Sequence, residues 1–212
     1  MERITRVVGP VATNVHIVAD ERSREAIAID TAIPSLAWIA DELADRSWTL
    51  KLIVSTHGHW DHTGDNAAVA AATGADIAVH TLDREMLTVP SPMWAPFEIP
   101  PSVPAVDLAE GGEIRFGAIR LRVLHTPGHT PGSVCLQATD EGLLFSGDTL
   151  FAGGWGRVDL PGGSAEAIVG SLVRLAELEP MTGVLPGHGA PTTIGRERPW
   201  LEMVRSSGRL PL

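Results

Sequence analysis

Short apolar runs bounded by turn-forming residues recur along the whole chain, and their length and alternation are typical of strands. The charged residues 21–24 separate the first two runs in the manner of a hairpin, and the run at 52–55 is apolar enough to be buried on both faces. We predict strands at residues 11–20, 25–30, 52–55, 76–80, 113–116, 119–124, 133–137, 142–146 and 184–185.

Between these runs lie segments whose apolar residues recur at the spacing of one helix face. In the first of them, after Pro34, the side chains of Leu36, Ile39 and Leu43 fall on the same side. We predict helices at residues 35–46, 66–73, 81–87, 164–178 and 195–204. Strands and helices in this order favour two sheets packed face to face with helices outside, an α+β arrangement.

The segment 88–104 interrupts this pattern because it contains six prolines, which preclude a regular helix or a central strand. We therefore predict an irregular loop. Its apolar residues Met93, Trp94, Phe97 and Ile99 either pack on the core or form a lid over a pocket. Met93 and Trp94 could instead belong to a partner surface, and the sequence leaves these alternatives open.

Length and composition favour one compact domain spanning residues 1–212. A formal net charge of −10 repels polyanions, so we expect no nucleic-acid partner. The single cysteine, Cys135, rules out an internal disulfide. Neither a signal peptide nor a membrane span is recognisable, so we expect a soluble, cytoplasmic protein that acts on a small molecule. The sequence does not indicate its oligomeric state.

Candidate chemistry is densest directly after the apolar run at 52–54. His57, His59, Asp61 and His62 fall within six residues of one another. In an extended loop the positions i and i+2 point the same way, so His57 and His59 can hold one cation while Asp61 and His62 turn to a second. This one segment can therefore supply ligands to two metals.

Three further metal-ligand candidates follow later predicted strands. His129 lies in a loop of prolines and glycines, Asp148 follows the run that ends at Ser146, and His188 stands between two glycines. A carboxylate such as that of Asp148 can bridge two cations. One such histidine alone would more often be structural, but seven nitrogen and oxygen donors at strand ends together predict a metal centre. We predict structural roles for the three remaining histidines, with His125 also a candidate support for the His129 loop: His16, His80 and His125.

Four motifs, in this order, resemble those of the metallo-β-lactamase superfamily, and within it those of short bacterial glyoxalase II-like hydrolases. They are His57-Gly58-His59-Trp60-Asp61-His62, Thr126-Pro127-Gly128-His129, Gly147-Asp148-Thr149-Leu150-Phe151 and Pro186-Gly187-His188-Gly189. Segments 153–159 and 192–198 are similar as well, so the resemblance covers nearly the whole chain. It implies a four-layer αββα sandwich. It also implies one metal held by His57, His59 and His129, a second held by Asp61, His62 and His188, and Asp148 bridging the two.

The resemblance and the donor set together predict a metal-dependent hydrolase. Two divalent cations, zinc first with iron or manganese as alternatives, can share a water and lower its pKa toward neutrality. We expect the metal-bound hydroxide to attack a carbonyl group, with Asp61 and Asp148 as the catalytic carboxylates. A thioester suits this site because its thiolate, with a pKa of about 8.5 for a simple thiol, leaves without a general acid. The predicted substrate is hydroxyacylglutathione or a similar small thiol ester.

Residue types that are absent or rare narrow the choice of mechanism. The chain has no tyrosine, which disfavours a mechanism like that of the related lactonases, in which a tyrosine lies at the oxyanion. The single lysine, Lys51, precedes His57 by six residues, roughly 20 Å along an extended strand. It should therefore not anchor a substrate carboxylate as in some metallo-β-lactamases. Arg157 is the predicted substrate-binding cation, and a structural ion pair with Asp159 or another carboxylate is an equal alternative.

Two other functional classes stay open at this point. The persulfide dioxygenases resemble this sequence at the same motifs but use a single iron, which here would be held by His57, His129 and Asp148. A non-catalytic metal-binding module would instead have a closed coordination shell without exchangeable water. The motif around His188 fits the hydrolases better, so we favour a hydrolase.

Overall fold

The computed structural model describes residues 1–91 and 95–211, which form two six-stranded sheets and the helices that cover them. The strands of the N-terminal sheet, in both chain order and spatial order, are β1 (Glu2–Val8), β2 (Thr13–Asp20), β3 (Glu25–Ile29), β4 (Thr49–Val54), β5 (Asp76–His80) and β6 (Val106–Leu108). Those of the C-terminal sheet are β7 (Glu113–Phe116), β8 (Ile119–His125), β9 (Val134–Ala138), β10 (Leu143–Gly147), β11 (Gly183–Pro186) and β12 (Thr192–Thr193).

Both sheets mix antiparallel and parallel pairing. The first three strands of the N-terminal sheet are antiparallel and β3 to β6 are parallel, whereas in the C-terminal sheet only the β10–β11 pair is parallel. The helices among the described residues are α1 (Leu36–Arg46), α2 (Trp60–Thr63), α3 (Asn66–Thr73), α4 (Arg84–Thr88), α5 (Ala165–Leu175) and α6 (Ile194–Ser207). None of them combines the length and apolarity that a membrane span requires.

Three apolar layers hold the molecule together and define an αββα sandwich. The first lies between the N-terminal sheet and helices α1 and α3, where Ile39 and Val69 meet side chains of β2 and β3. The second lies between the two sheets, and the third lies between the C-terminal sheet and helices α5 and α6, around Leu172 and Leu201. Because a strand such as β2 contributes alternate residues to two layers, all eight of its residues are buried. The predicted fold class is confirmed.

Every predicted strand and helix has a counterpart in the structure, with small differences at the ends. The predicted helix 81–87 is a 3₁₀ turn at Thr81–Asp83 followed by α4, and α5 ends at Leu175 three residues earlier than predicted. Strands β1, β6 and β12 and the short helix α2 were not predicted. Strands β6 and β12 are only three and two residues long, and β1 is a largely exposed edge strand, so none carries a strong apolar pattern.

The described part of the proline-rich loop packs against the molecule. Ile99 is buried, and the ring of Phe97 meets the ring of Trp60 edge to face at 5.8 Å. The side chains of Phe97 and Ile99 thus follow the packing interpretation. Met93 and Trp94 lie outside the described residues, so their assignment to a lid or a partner surface stays a prediction.

Candidate metal centre

The strand ends that carry the predicted ligands meet at one edge of the sandwich. Strands β10 and β11 run parallel with Gly147 opposite Pro186, so the residues that follow, Asp148 and His188, leave the sheet side by side. The loop after β4 carries the histidine motif. This loop is fastened to the other sheet, because the Val134 amide donates a hydrogen bond to the Thr56 carbonyl at 2.8 Å. The two halves of the chain therefore bring their donors to one place.

All seven predicted ligands lie in this one cluster. They form three overlapping groups in which the donor atoms of each group lie within 4.8 Å of one another: His57, His59 and His129; His57, His62 and Asp148; and Asp61, His62 and His188. The first and third groups coincide with the two ligand sets that the family resemblance implies. The geometry is therefore compatible with a dinuclear metal site.

Ring nitrogens from distant parts of the chain face one another across the cluster. His59 Nδ1 lies 2.8 Å from His129 Nε2, and His62 Nε2 lies 3.1 Å from His188 Nε2. Two imidazole nitrogens this close must either share a proton or point at a common cation, because each lone pair repels the other. Both pairs consist of residues that the resemblance assigns to the same metal.

Asp148 is the residue that reaches both ligand sets. Its Oδ2 atom lies 3.5 Å from His129 Nε2 in the first set and 3.6 Å from His188 Nε2 in the second. Its Oδ1 atom lies 3.5 Å from His62 Nε2. A carboxylate in this position can bind one cation with each oxygen, as a bridging ligand does.

Two buried polar atoms provide a test of whether the cluster fits a metal. His57 Nε2 and Asp148 Oδ1 are buried and make no hydrogen bond to any residue that the structure describes. Leaving a buried nitrogen or carboxylate oxygen unpaired costs about 1–3 kcal/mol or more, and a bound cation would remove this cost at both atoms. Two other buried polar atoms without a partner among the described residues, Thr13 Oγ1 and Arg198 Nε, lie outside the ligand groups. His57 and Asp148 lie in the ligand groups described above. The residues therefore fit divalent cations.

Asp30 contacts Thr56 and His62 and so supports the cluster, although it was not among the predicted site residues. Its carboxylate accepts hydrogen bonds from the Thr56 amide at 2.7 Å and the Thr56 hydroxyl at 2.8 Å, and lies 3.0 Å from His62 Nδ1. This contact orients the His62 ring with Nε2 toward the cluster. The signal was present in the sequence, because Asp30 follows an apolar strand just as Asp148 does.

Asp83 is a second supporting carboxylate that the sequence did not reveal. It is fully buried and accepts hydrogen bonds from the Gly58 amide at 2.9 Å, the Thr130 hydroxyl at 2.6 Å and the Gly132 amide at 2.7 Å. It thus joins the loop of His57 and His59 to the loop of His129. Asp83 lies inside a short helical segment, where nothing in the local pattern marks it.

Gly187 allows the loops to approach closely. A Cβ atom at this position would lie 2.3 Å from Asp148 Oδ1 and 2.7 Å from His62 Cε1, distances that real Cβ atoms do not show. Its amide donates a hydrogen bond to the Gly147 carbonyl at 2.8 Å. A side chain here would therefore push apart the elements that bring His188 to the cluster.

Burial and nearby charges set the protonation of the metal-free cluster. Burial, followed by repulsion from neighbouring imidazoles, lowers the pKa of His57 well below its ordinary value and lowers the pKa of His59 to about 3. Burial would lower the pKa of His62 too, but the charge of Asp148 and of two further carboxylates raises it to about 10. His57 and His59 therefore offer neutral nitrogens to a cation, whereas a cation must displace a proton from His62.

The cluster lies at the bottom of a cavity of about 660 Å³. This volume is in the usual range for small-molecule sites. Arg157 lines this cavity, and its guanidinium makes hydrogen bonds of 2.8 and 2.7 Å with the carboxylate of Asp159. The alternative of an ion pair is thus observed. A role for Arg157 in substrate binding stays a prediction. Its backbone carbonyl lies 2.7 Å from His129 Nδ1, and this contact orients that ring.

The three remaining histidines lie outside the ligand groups. His16 is buried on β2 and lies 2.8 Å from the Thr5 hydroxyl. The rings of His80 and His125 stack at 4.1 Å. His125 Nε2 lies 2.9 Å from the Pro131 carbonyl, so this residue does contact the loop of His129.

Comparison with known families assigns the chain to a family and confirms the fold. The profile of the metallo-beta-lactamase superfamily matches residues 8–188, a span that includes all seven clustered ligands. The chain belongs to the metallo-beta-lactamase superfamily. The superfamily match and the groups of histidines and aspartates together support the general assignment of this chain as a hydrolase with a metal site.

Two relatives illustrate the range of similar sequences. The chain is 39% identical over 199 residues to an uncharacterized protein of Aquifex aeolicus, an alignment that covers 90% of this chain and 91% of that one. It is 37% identical over 172 residues to a hydroxyacylglutathione hydrolase of Cereibacter sphaeroides, which covers 81% of this chain but only 60% of the relative. The second similarity therefore leaves a large part of that hydrolase without a counterpart.

Three solved structures have the same metallo-beta-lactamase fold. BLEG-1 B3 metallo-beta-lactamase is 32% identical with a TM-score of 0.84, and covers 94% of this chain and 99% of its own. TTHA1623, described in a di-iron-bound form, is 34% identical with a TM-score of 0.81 over 92% and 96% of the two chains. ETHE1 from Myxococcus xanthus is 26% identical with a TM-score of 0.80 over 100% and 92%.

Proposed function

We propose that this protein is a dinuclear metal hydrolase that cleaves a small thioester. The observation that carries the proposal is the pair of ligand groups joined by Asp148 at the bottom of a cavity large enough for a small molecule. The similarity to a hydroxyacylglutathione hydrolase supports the thioester as the bond to test first.

In this proposal seven residues hold two cations, zinc first and iron or manganese as alternatives. The first cation is bound by His57, His59 and His129, the second by Asp61, His62 and His188, and Asp148 contributes to both. When bound, two divalent cations supply Lewis acidity and a water of lowered pKa. The buried unpaired atoms His57 Nε2 and Asp148 Oδ1 support these assignments.

Other residues of the chain would orient the metal-binding histidine rings and enclose the substrate. Asp30 and the Arg157 carbonyl hold the rings of His62 and His129 through their Nδ1 atoms. Arg157, on the cavity wall, is the residue that we propose to contact the polar end of the substrate. Hydrolysis breaks the C–S bond, forms a C–O bond to the oxygen of water, and yields a carboxylic acid and a thiol without any change in oxidation state.

Metal analysis combined with a thioester assay tests this proposal. We expect about two metals per chain and release of free thiol at the same rate with and without oxygen, because a two-metal hydrolytic site needs no oxidant. Protein stripped of metal by a chelator is the matched control and should regain activity when metal is restored. Failure of the metal-loaded protein to hydrolyse any thioester would refute the proposal.

A single-iron persulfide dioxygenase is the second candidate function. Its three predicted ligands, His57, His129 and Asp148, lie in the same cluster, and His129 Nε2 is 3.5 Å from Asp148 Oδ2. The di-iron-bound form of TTHA1623 is consistent with iron in a fold of this kind. This candidate predicts one iron per chain and oxygen uptake with a persulfide substrate. That result would replace the hydrolase proposal.

A further inference from the structure

The cavity above the metal cluster has an apolar wall. Side chains that line it away from the ligands include Val11, Trp60, Met86, Val89, Phe151 and Leu160. They come from distant parts of the chain, namely the loop before β2, helices α2 and α4, and the loops after β10. Such a wall recognises a substrate by excluding water from apolar atoms and not by pairing charges.

Positive charge is almost absent from the same cavity. Besides the histidines of the metal cluster, Arg157 is the only basic residue among the described residues that line it, and two hydrogen bonds engage its guanidinium with Asp159. The only lysine of the chain, Lys51, lies on β4 at 3.9 Å from a carboxylate oxygen of Glu25. Glutathione carries a carboxylate at each end, and among the described lining residues only Arg157, already paired with Asp159, could meet one of them.

A second, smaller groove adjoins the cavity, and its lining combines apolar residues with Glu85. It has a volume of about 300 Å³ and shares Met86, Val89 and Pro161 with the main cavity, and it adds Leu82 and Pro131. Val89 is 70% exposed and Leu82 is 59% exposed, both high values for such side chains. An alkyl chain lying across Met86 would cover apolar surface in both spaces.

We propose that the physiological thioester carries an apolar acyl chain, which lies against Met86 and Val89 while its carbonyl faces the cluster of histidines and aspartates. The inference rests on the proposed thioester hydrolase function and specifies its substrate class. In this inference the protein recognises its substrate by the acyl group, so the thiol part of the substrate needs no charged group.

Acyl-chain length is the variable that tests this inference. The probes are acetyl, butyryl, hexanoyl and octanoyl thioesters of N-acetylcysteamine, a neutral thiol, together with S-lactoylglutathione. We expect kcat/KM of the metal-loaded protein to rise about fourfold for each added methylene, which corresponds to ~0.8 kcal/mol of apolar burial. The octanoyl ester should also exceed S-lactoylglutathione. Equal rates along the series, or a preference for S-lactoylglutathione, would overturn the inference.

A binding measurement separates this inference from the function on which it rests. Alkyl thioethers of N-acetylcysteamine have no ester to cleave, and calorimetry on the metal-loaded protein should show the octyl compound binding more tightly than the ethyl compound. Hydrolysis of some thioester without any dependence on chain length would remove the inference alone. Absence of hydrolysis with every thioester would remove the proposed function and, with it, this choice of substrate.

Two substitutions test whether Met86 and Val89 cause the dependence of kcat/KM on acyl-chain length. Met86→Gln keeps the length of the side chain but makes it polar, and should reduce the ratio of octanoyl to acetyl kcat/KM about tenfold or more, as a polar group in a desolvated apolar contact does. Met86 also packs against Gly58. Val89→Gln, at an exposed position, therefore provides a second variant without a folding risk. Met181→Gln is the matched control, because Met181 is 85% exposed and does not line the cavity. Identical ratios in all three variants and the parent would refute the placement.

Discussion

Replacement of Asp83 by asparagine should both destabilise the protein and loosen its metal site. The carboxylate accepts one hydrogen bond on Oδ1, from the Gly132 amide, and two on Oδ2, from the Gly58 amide and the Thr130 hydroxyl. An asparagine has only one accepting oxygen. If that oxygen keeps the two bonds on the Oδ2 side, its NH₂ group faces the Gly132 N–H, and a buried donor is left unpaired.

The size of the effect follows from this count of bonds. Losing one hydrogen bond to a charged acceptor and leaving its donor buried costs about 2–3 kcal/mol, and the two remaining bonds weaken because the charge is gone. We expect Asp83→Asn to lower the free energy of unfolding by about 3–4 kcal/mol. The loops of His57 and His129 are no longer held together, so the affinity for the first metal should fall about 10- to 100-fold.

Urea unfolding of the metal-free protein measures the first effect, and competition with a chromophoric chelator measures the second. Asp140→Asn is the matched control: its carboxylate is 65% exposed and pairs with Arg120 on the surface, so the change should stay within about 0.5 kcal/mol. If Asp83→Asn stays as close to the parent as this control and binds metal equally well, Asp83 does not connect the two loops energetically.

Two further predictions concern the bridging ligand and a buried histidine. Asp148→Ala should lose nearly all of both metals, measured by elemental analysis, because the Asp148 carboxylate lies within 3.6 Å of a histidine nitrogen in each ligand set; full metal content would exclude the bridging role. Burial lowers the pKa of His16 from 6.5 to about 4. Between pH 6.5 and about 4, His16 is therefore protonated in the unfolded chain and neutral in the folded chain. The free energy of unfolding is highest above pH 6.5 and falls by about 3 kcal/mol as the pH drops from 6.5 to about 4. Urea unfolding of metal-free protein across this range should show a shallower pH dependence for His16→Asn, and equal slopes would contradict the prediction.

The protonation of the metal-free cluster bears on how the site is loaded. His62 retains its proton up to a pKa of about 10 because carboxylates surround it, so binding of the second cation should release a proton. In the proposed function the same carboxylates would hold and support that cation. Acidification therefore works against metal binding chiefly at this half of the site.

Local patterns in the sequence were sufficient for most of the elements and for the seven candidate ligands that the structure brings together. Strands such as β5 are buried and apolar, and helices such as α3 are rich in alanine and end at a glycine, so each carries its own signal. Strand β1 carries no such signal, because an exposed edge strand is held by pairing with β2 and not by an apolar face of its own. The ligands were recognisable because metal-binding side chains at strand ends leave a dense local signature at His57 to His62.

Tertiary structure alone decided which donors meet and what surrounds them. The parallel register of β10 and β11 sets Asp148 beside His188, and no local pattern specifies the pairing of strands that lie far apart in the chain. Asp83 acquires its role only because two loops distant in sequence donate hydrogen bonds to it. The apolar wall beside the histidine and aspartate cluster is likewise assembled from side chains such as Val11, Met86 and Leu160, which no sequence motif connects. The sequence determined the chemistry of the metal centre, and the packing of two sheets determined its geometry and its cavity, because contacts across a core depend on the whole chain.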